Sequence, residues 1–350
     1  MARELRRVRW CDPGITRRRA GKGWVYLDPK GRQVTDPETL ARIKSLVIPP
    51  AWTDVWICPY PNGHIQAVGL DARGRRQYIY HPRWRVRRDH AKFDRMVSFA
   101  HTLPDLRCAV DELLACGEDL SRDRVLACAV RLLDEGFFRV GGERYARENA
   151  HFGLATVLKS HVVLQKPSTL VFDYPAKSGQ RRIQSVVDPD AFGIVSRLKA
   201  RRGGGPELLA FREGRAWVDV RSSDINHFIR KHAPGECSAK DFRTWGATVL
   251  AAMALSVSTE VRSERERTRA ISRAVQEVAH YLGNTPAVAR RSYIDPRVID
   301  FYEQGATIDP AIVLEHQGDG AGIRDALEAA VVDLLEGAHR VTRRHTARAS

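Results

Sequence analysis

The chain has 350 residues, and its 57 lysine and arginine residues against 42 acidic residues give a formal net charge of +15. This length exceeds one ordinary hydrophobic core and predicts about two domains. The arginine-rich excess of charge favours a nucleic-acid partner. The six cysteines show no CxxC spacing and no apolar run is long enough to span a membrane. We therefore expect reduced cysteines, no membrane segment and a cytoplasmic location.

Residues 1–89 are predicted to form a small β-rich domain. Strand-like segments at 65–69 and 77–80 flank Asp71-Ala72-Arg73-Gly74, which is typical of a hairpin connection. The domain carries many arginines, so it presents a basic surface.

Residues 90–338 are predicted to form a mainly α-helical domain. Ser121 is a candidate N-cap for a helix that Gly136 would end as its C′ residue, and Gly283 would end a later helix in the same way. Residues 339–350 are basic, and we expect them to be a disordered tail.

One hairpin interrupts the helical domain. The strand-like runs at 170–174 and 182–187 flank the turn Pro175-Ala176-Lys177-Ser178-Gly179. This places Lys177 at an exposed turn, free to reach a ligand. A lysine on a turn is more often simply solvated, so the position alone does not assign it a function.

The run at 282–286 and Tyr293, seven residues after Pro286, stand downstream of Arg139 and Arg243. A phenol with a pKa near ~10 is a poor nucleophile until fixed cations stabilise its anion. Guanidinium groups suit this task, because their planar fork grips two phosphate oxygens and stays charged. The pattern indicates a tyrosine that attacks a phosphodiester.

No metal-binding or nucleotide-binding motif competes with this interpretation. HExxH, clustered Cys/His and GxxxxGK[ST] are absent, and Asp188-Pro189-Asp190 reads more simply as a helix start. We therefore expect a reaction with no metal and no other cofactor.

Four segments resemble the motifs of type IB DNA topoisomerases, in particular the small poxvirus and bacterial form. In chain order they are the DNA-contacting strand at 77–80, the first catalytic box at 137–156, the second arginine box at 240–246, and the nucleophile box at 282–293. A match to any one of these motifs is weak evidence for the family, but four matches in the same order and at fitting spacings are specific. The resemblance covers about residues 55–310 and implies an α+β protein: a β-rich domain, then a mainly α catalytic domain of the tyrosine recombinase/topoisomerase IB type.

The resemblance implies a role for each catalytic position. Arg139 and Arg243 would clamp the scissile phosphate, Tyr293 would form a 3′-phosphotyrosyl bond, and Lys177 would protonate the departing 5′-hydroxyl. The poxvirus enzymes have histidine where Asn284 stands. An amide can still donate to a phosphate oxygen, although it brings no positive charge. The alternative interpretation is that this asparagine is only a linker between two helices.

The resemblance also implies the partner. Gln77, Tyr78, Tyr80 and Tyr145 would contact double-stranded DNA, which a monomer would enclose between its two domains. After one strand is cut, the free end would swivel before the break is resealed, without ATP.

Two alternatives remain open at this stage. A tyrosine site-specific recombinase shares the chemistry and the catalytic fold, but such enzymes usually carry histidine at the position of Lys240. A non-catalytic basic DNA-binding protein would explain the charge alone. Arg139, Lys177, Arg243 and Tyr293, all present, argue against the second alternative.

Overall fold

The structure is a computed structural model that describes residues 4–21, 23–117, 119–233, 235–258, 263–312 and 320–337; the side chains of residues 90, 145, 320 and 321 lie outside this description. The chain divides into two compact units, residues 1–94 and 95–350. The predicted tail at 339–350 lies outside the described residues. No helix among the described residues is both long enough and apolar enough to cross a membrane.

The N-terminal unit contains a five-stranded antiparallel sheet in the order β2-β1-β3-β4-β5. Its elements are β1 (Ile15–Ala20), β2 (Gly23–Leu27), α1 (Pro37–Ser45), β3 (Thr53–Ile57), β4 (Ile65–Leu70) and β5 (Arg76–Tyr80). One side of the sheet contributes to a core that includes Ile43 of α1, and the other side buries Trp56 and Val68. The predicted β-rich region and its hairpin between β4 and β5 are confirmed.

A long helix, α2 (Pro82–Ala115), follows β5 directly. The helical region therefore begins earlier than the expected residue 90, and the charged stretch at 87–90 belongs to a helix. Pro82 stands at the first helical position, where its missing N–H costs nothing, and this allows the helix to start immediately after the strand.

The C-terminal unit is mainly helical. Its helices after α2 are α3 (Arg122–Gly136), α4 (Glu143–Asn149), α5 (Pro189–Ala200), α6 (Ser222–His232), α7 (Ala239–Ser256), α8 (Glu264–Leu282), α9 (Pro286–Ser292), α10 (Pro296–Glu303) and α11 (Gly320–Leu335). Helix α7 packs against α3, α6, α8, α10 and α11. Most of its side chains are buried, which makes α7 the centre of this unit.

Two small antiparallel sheets complete the C-terminal unit. A three-stranded sheet has the order β6-β7-β8, and a hairpin pairs β9 with β10. The strands are β6 (Val162–Gln165), β7 (Thr169–Pro175), β8 (Arg181–Val187), β9 (Ala210–Glu213) and β10 (Ala216–Asp219). The expected hairpin around Lys177 is therefore present as β7 and β8. The α+β architecture predicted from the sequence is confirmed.

The end of α3 differs from the prediction by one residue. Gly136 is the last residue of the helix, and Phe137 instead takes the left-handed conformation, with φ 53°. The reason lies in packing, because a Cβ on Gly136 would collide with the ring of Phe138. Glycine is needed here for space and not for its backbone freedom.

Candidate active site

The segment that carries Arg139 is held in place by a backbone hydrogen bond and by the packing of the neighbouring residue, Phe138. The carbonyl of Arg139 accepts a hydrogen bond from the Leu154 N–H at 2.8 Å. Phe138 is fully buried and packs edge-to-face on Phe172, with ring centroids 4.8 Å apart. The guanidinium of Arg139, by contrast, remains partly exposed. A rigid base thus carries a cation that solvent and ligand can reach.

Arg243 projects from the first turns of α7. Its helix begins at the predicted N-cap Ser238, whose N–H donates to the Asp241 carboxylate at 2.9 Å. Arg243 is only 3% exposed, and it donates hydrogen bonds to the carbonyls of Phe137 and Leu282, the latter at 2.9 Å. These bonds fix the orientation of its guanidinium group.

The nucleophile segment turns sharply between α8 and α9. Gly283 ends α8 in the left-handed conformation with φ 57°, which a residue without a side chain adopts at little cost. Thr285 caps α9, and its hydroxyl accepts from the Val288 N–H at 3.4 Å. Tyr293 is the residue after α9, and its carbonyl accepts from the Thr248 hydroxyl of α7 at 3.3 Å. The turn and this bond hold the tyrosine beside α7.

The C-terminal end of α8 collects three guanidinium groups. The carbonyls of a helix end lack intrahelical donors and carry partial negative charge, so they attract cations. The donor–acceptor pairs are Arg182 with the carbonyls of His280 (3.1 Å) and Tyr281, Arg243 with Leu282 (2.9 Å), and Arg139 with Gly283 (3.0 Å). One helix end therefore gathers cations that are far apart in sequence.

The side chain of Tyr293 lies beside Arg243, one of these three arginines. The guanidinium carbon of Arg243 is 5.4 Å from the centroid of its ring. Burial raises the pKa of the Tyr293 hydroxyl, but the charges of Arg243, Arg139 and Lys240 and hydrogen bonding to Arg243 outweigh burial and lower it overall. Burial and the like charge of Arg139 lower the pKa of Arg243 to about 10, so this group stays charged at neutral pH.

A second tyrosine near the same arginines behaves in the opposite way. Tyr174 is 2% exposed and donates a hydrogen bond to Gln184 at 3.0 Å. Burial raises the pKa of Tyr174 to about 12, although Arg182, Arg243 and Arg139 act against it. Of these two phenols, only Tyr293 is both partly exposed and made more acidic by its surroundings.

Asn284 faces Arg139. Its amide oxygen accepts a hydrogen bond from the Arg139 guanidinium, which fixes the orientation of the amide group. Its Nδ2 is buried and donates to no other atom in the described part of the chain. A donor in this position could serve an oxygen of a bound phosphate. Asn284 thus lies between α8 and α9 and also contacts Arg139.

Lys177 occupies an exposed 3₁₀ turn, Lys177–Gly179, at the tip of the β7–β8 hairpin. Within the described residues its side chain has no hydrogen bond or ion pair. The structure therefore brings Arg139, Arg243, Asn284 and Tyr293 together, but leaves Lys177 outside their direct contacts.

The sequence motifs alone assign no role in the site to two nearby cationic residues. Lys240 lies one helical turn before Arg243 and contributes to the lowered pKa of Tyr293. Arg182 belongs to the inward face of β8, together with the buried Gln184 and Val186. In the sequence, Arg182 could have been recognised because it is a charged residue at an inward-facing position of a strand.

We expect Lys240→Ala to shift the pH dependence of single-turnover cleavage to higher pH. A neighbouring cation lowers the pKa of a phenol, so its loss returns the pKa of Tyr293 toward 10.0 and leaves less phenolate at a given pH. The deficit should be greatest near neutral pH and disappear at high pH, while Lys240→Arg should retain the original profile. An equal deficit at every pH would contradict this account.

The N-terminal unit has its own candidate surface. Tyr78 and Tyr80 stack on one face of β5, with ring centroids 5.9 Å apart. Gln77 points to the opposite face and donates to Asp71 at 3.0 Å. Because β5 is an edge strand, a duplex along this edge could reach both faces. The side chain of Tyr145 lies outside the described residues.

A segment at residues 4–12, here called the N-terminal strap, runs beside the stacked tyrosines and ends in a turn at residues 10–12. Val8 packs in the same cluster as Tyr80, and the Arg76 guanidinium lies 3.7 Å from the ring centroid of Trp10. Arg7 and Arg9 are exposed, and within the described residues they form no ion pair. The strap therefore adds basic side chains to the face that carries both tyrosines.

Comparisons with known proteins agree with this architecture and site. The family model described as the catalytic core of eukaryotic DNA topoisomerase I matches residues 81–305, and that of the N-terminal domain of bacterial DNA topoisomerase IB matches residues 23–71. DNA topoisomerase 1B of Acanthamoeba polyphaga mimivirus is 30% identical over 318 residues, which are 87% of this chain and 91% of the relative. DNA topoisomerase 1B of vaccinia virus is 24% identical over 296 residues, 81% of this chain and 87% of the relative.

The fold and the site define an enzyme that breaks and rejoins DNA strands through a tyrosine. The chain belongs to the type IB DNA topoisomerase family, as the motifs had indicated. The comparisons favour neither the recombinase nor the non-catalytic DNA-binding protein. The protein is thus an isomerase of DNA topology whose substrate is double-stranded DNA.

Proposed function

We propose that Tyr293 is the nucleophile that this enzyme uses to nick one DNA strand. Its oxygen forms a bond to the scissile phosphorus while the bond from phosphorus to the 5′-oxygen breaks, which leaves a 3′-phosphotyrosine. The observation that carries this assignment is the position of Tyr293 among the arginines gathered at the end of α8, because two of them, Arg243 and Arg139, help to lower its pKa.

Arg139 and Arg243 are proposed to neutralise the charge that grows on the non-bridging phosphate oxygens. Each uses part of its guanidinium to hold a backbone carbonyl near the end of α8. Arg139 donates only through Nη2 within the described residues, so its remaining N–H groups are available to a phosphate. Asn284 is proposed to add a neutral donor through Nδ2. Fixed donors of this kind need no rearrangement as charge develops.

Lys177 is proposed as the general acid. When the 5′-oxygen departs with the bonding electron pair, the Lys177 ammonium would supply its proton. Its exposure at a hairpin tip supports this role, because an ammonium there can approach DNA bound at the surface. Religation reverses the step: the 5′-hydroxyl attacks phosphorus and gives its proton to the Lys177 amine, while the bond from phosphorus to the Tyr293 oxygen breaks and Tyr293 leaves as the phenolate. Since the phosphotyrosyl bond conserves the energy of the cleaved bond, the cycle needs no ATP.

Relaxation of supercoiled plasmid tests the whole assignment. Purified enzyme in EDTA, without ATP, should remove both positive and negative supercoils and leave closed circles. If the only product came from strand exchange between specific sites and no plasmid were relaxed, this assignment would be contradicted.

We also propose that the enzyme acts as a monomer that encloses the duplex between its two domains, in the cytoplasm and on the nucleoid. The separate basic face of the N-terminal unit supports a clamp, because it supplies a second surface for DNA. Sedimentation of the enzyme with a short duplex should give one protein chain per DNA. Two chains per DNA in the cleaving complex would overturn the monomer.

The N-terminal strap should contribute to DNA affinity through phosphate contacts. For Arg7→Gln combined with Arg9→Gln, we expect the slope of log K against log salt to become less negative by about 1.8, since each lost phosphate contact removes about 0.9. The matched control is Arg269→Gln with Arg273→Gln, two exposed positions of α8. An equal change in both double variants would indicate a general effect of charge and not a surface on the strap.

A further inference from the structure

Arg182 connects the β7–β8 hairpin to the nucleophile segment. It lies near the start of β8, opposite Tyr174 in the β-ladder. Its guanidinium donates to the carbonyls of His280, at 3.1 Å, and Tyr281, both in the last turn of α8. Both Nη atoms of Arg182 thus donate to backbone carbonyls, and these bonds tie the start of β8 to the end of α8.

The hairpin positions Lys177 through its backbone. Ala176 donates its N–H to the Gln180 carbonyl at 2.8 Å and closes the turn, and Ser178 adopts a left-handed conformation with φ 66°. The Lys177 side chain itself has no anchoring hydrogen bond within the described residues. The place of its ammonium relative to the tyrosine therefore depends on how the whole hairpin is held.

Two side chains on the inward face of β8 hold this hairpin. Gln184 donates from Nε2 to the carbonyl of Gly136, at the end of α3 and close in sequence to Arg139. Arg182 donates to the end of α8 that leads into the nucleophile segment. Among the described residues, these hydrogen bonds link the strand after Lys177 to both halves of the active site.

We propose that Arg182 is a positioning residue that holds the hairpin so that the Lys177 ammonium meets the departing 5′-oxygen. This inference rests on the proposed role of Lys177 as general acid. Arg182 itself would touch neither the phosphate nor the leaving group. A displacement of about 1 Å at a reacting group can cost about 10²-fold in rate, so we expect the loss of these two hydrogen bonds, close to the tip of the hairpin, to have a measurable effect.

A substrate with sulfur in place of the bridging 5′-oxygen separates this role from others. During cleavage the bond from phosphorus to the 5′ atom breaks and the electron pair goes to that atom. An alkoxide needs a proton as it leaves, because hydroxyl groups of this kind are very weak acids. A thiolate does not need one, because a thiol has a pKa near ~8.5. Cleavage at sulfur is therefore insensitive to a missing or misplaced general acid.

The experiment compares oxygen and sulfur substrates at one cleavage site mapped with wild-type enzyme. Single-turnover cleavage would be measured for wild type and for the variants Arg182→Ala, Arg182→Lys, Lys177→Ala and Arg243→Ala. For Arg182→Ala we expect cleavage of the oxygen substrate to fall about 10²-fold, with most of that loss recovered on the sulfur substrate. Lys177→Ala should show the same pattern, and Arg243→Ala should be slow on both substrates.

The outcomes separate the proposed role of Lys177 from the proposed role of Arg182. If Lys177→Ala is not rescued by sulfur, the proposed general acid is wrong and the role of Arg182 falls with it. If Lys177→Ala is rescued but Arg182→Ala is equally slow on both substrates, or not slow at all, only the role of Arg182 is overturned. Should Arg182→Ala fail to fold, Arg182→Lys provides the same comparison, because it keeps the charge but loses the fork that spans two carbonyls.

Discussion

Tyr293→Phe should abolish the covalent protein–DNA adduct and all relaxation of supercoiled plasmid. The substitution removes only the hydroxyl, so no oxygen remains to form the bond to phosphorus. DNA affinity should change by less than about tenfold, since one hydrogen bond contributes ~1 kcal/mol. Denaturing the reaction with detergent, followed by electrophoresis of labelled DNA, would show whether protein stays attached.

Tyr174→Phe is the matched control for this experiment. It removes a phenol hydroxyl near the same arginines, but one that is buried and bonded to Gln184. This variant should still form the adduct and should lose about 1 kcal/mol of folding stability, the typical value of one hydrogen bond. A persistent adduct in Tyr293→Phe, or its loss in Tyr174→Phe alone, would refute the choice of nucleophile.

Arg243→Ala is expected to have the second largest effect. It removes a buried guanidinium that lies beside the Tyr293 ring and binds two backbone carbonyls. Loss of a fixed donor to a developing anion slows reactions by roughly 10²–10³-fold, and the phenolate of Tyr293 also loses its strongest cationic neighbour. Single-turnover cleavage of a duplex, measured at several pH values, would record both effects.

Arg243→Lys separates charge from geometry. A lysine keeps the positive charge but cannot reproduce the planar fork that reaches Phe137 and Leu282 together. We expect a rate between those of wild type and Arg243→Ala, with a pH profile closer to wild type. Because the carbonyls left by Arg243→Ala cost roughly 1–3 kcal/mol when unsatisfied, thermal unfolding should be measured in parallel. A rate loss explained wholly by unfolding would remove Arg243 from the catalytic step.

The sequence was sufficient for the class of fold and for most of the site. Ser238, Gly283 and Thr285-Pro286 are local signals, and each begins or ends a helix as its backbone chemistry requires. The hairpin around Lys177 was visible for the same reason, because turn residues separate two runs of strand formers. Motif spacing then identified the residues that the structure places around the end of α8.

Other features depend on packing between distant segments, so the sequence could not reveal them. Gly136 was expected to end α3, but the ring of Phe138 needs its space and the left-handed residue is Phe137. The proposed role of Arg182 depends on the approach of β8 to α8, which the sequence does not reveal because Arg182 and His280 are 98 residues apart. Likewise, only the structure distinguishes the cationic surroundings that lower the pKa of Tyr293 from the burial that raises the pKa of Tyr174.

The gathering of arginines at one helix end makes cutting ability a late product of folding. Arg139 and the carbonyl it binds are separated by 144 residues, so their meeting requires nearly the whole catalytic unit to be in place. A nascent or partly unfolded chain that already carries the tyrosine lacks the surroundings that make the phenol reactive. We therefore expect such a chain to be unable to cleave DNA.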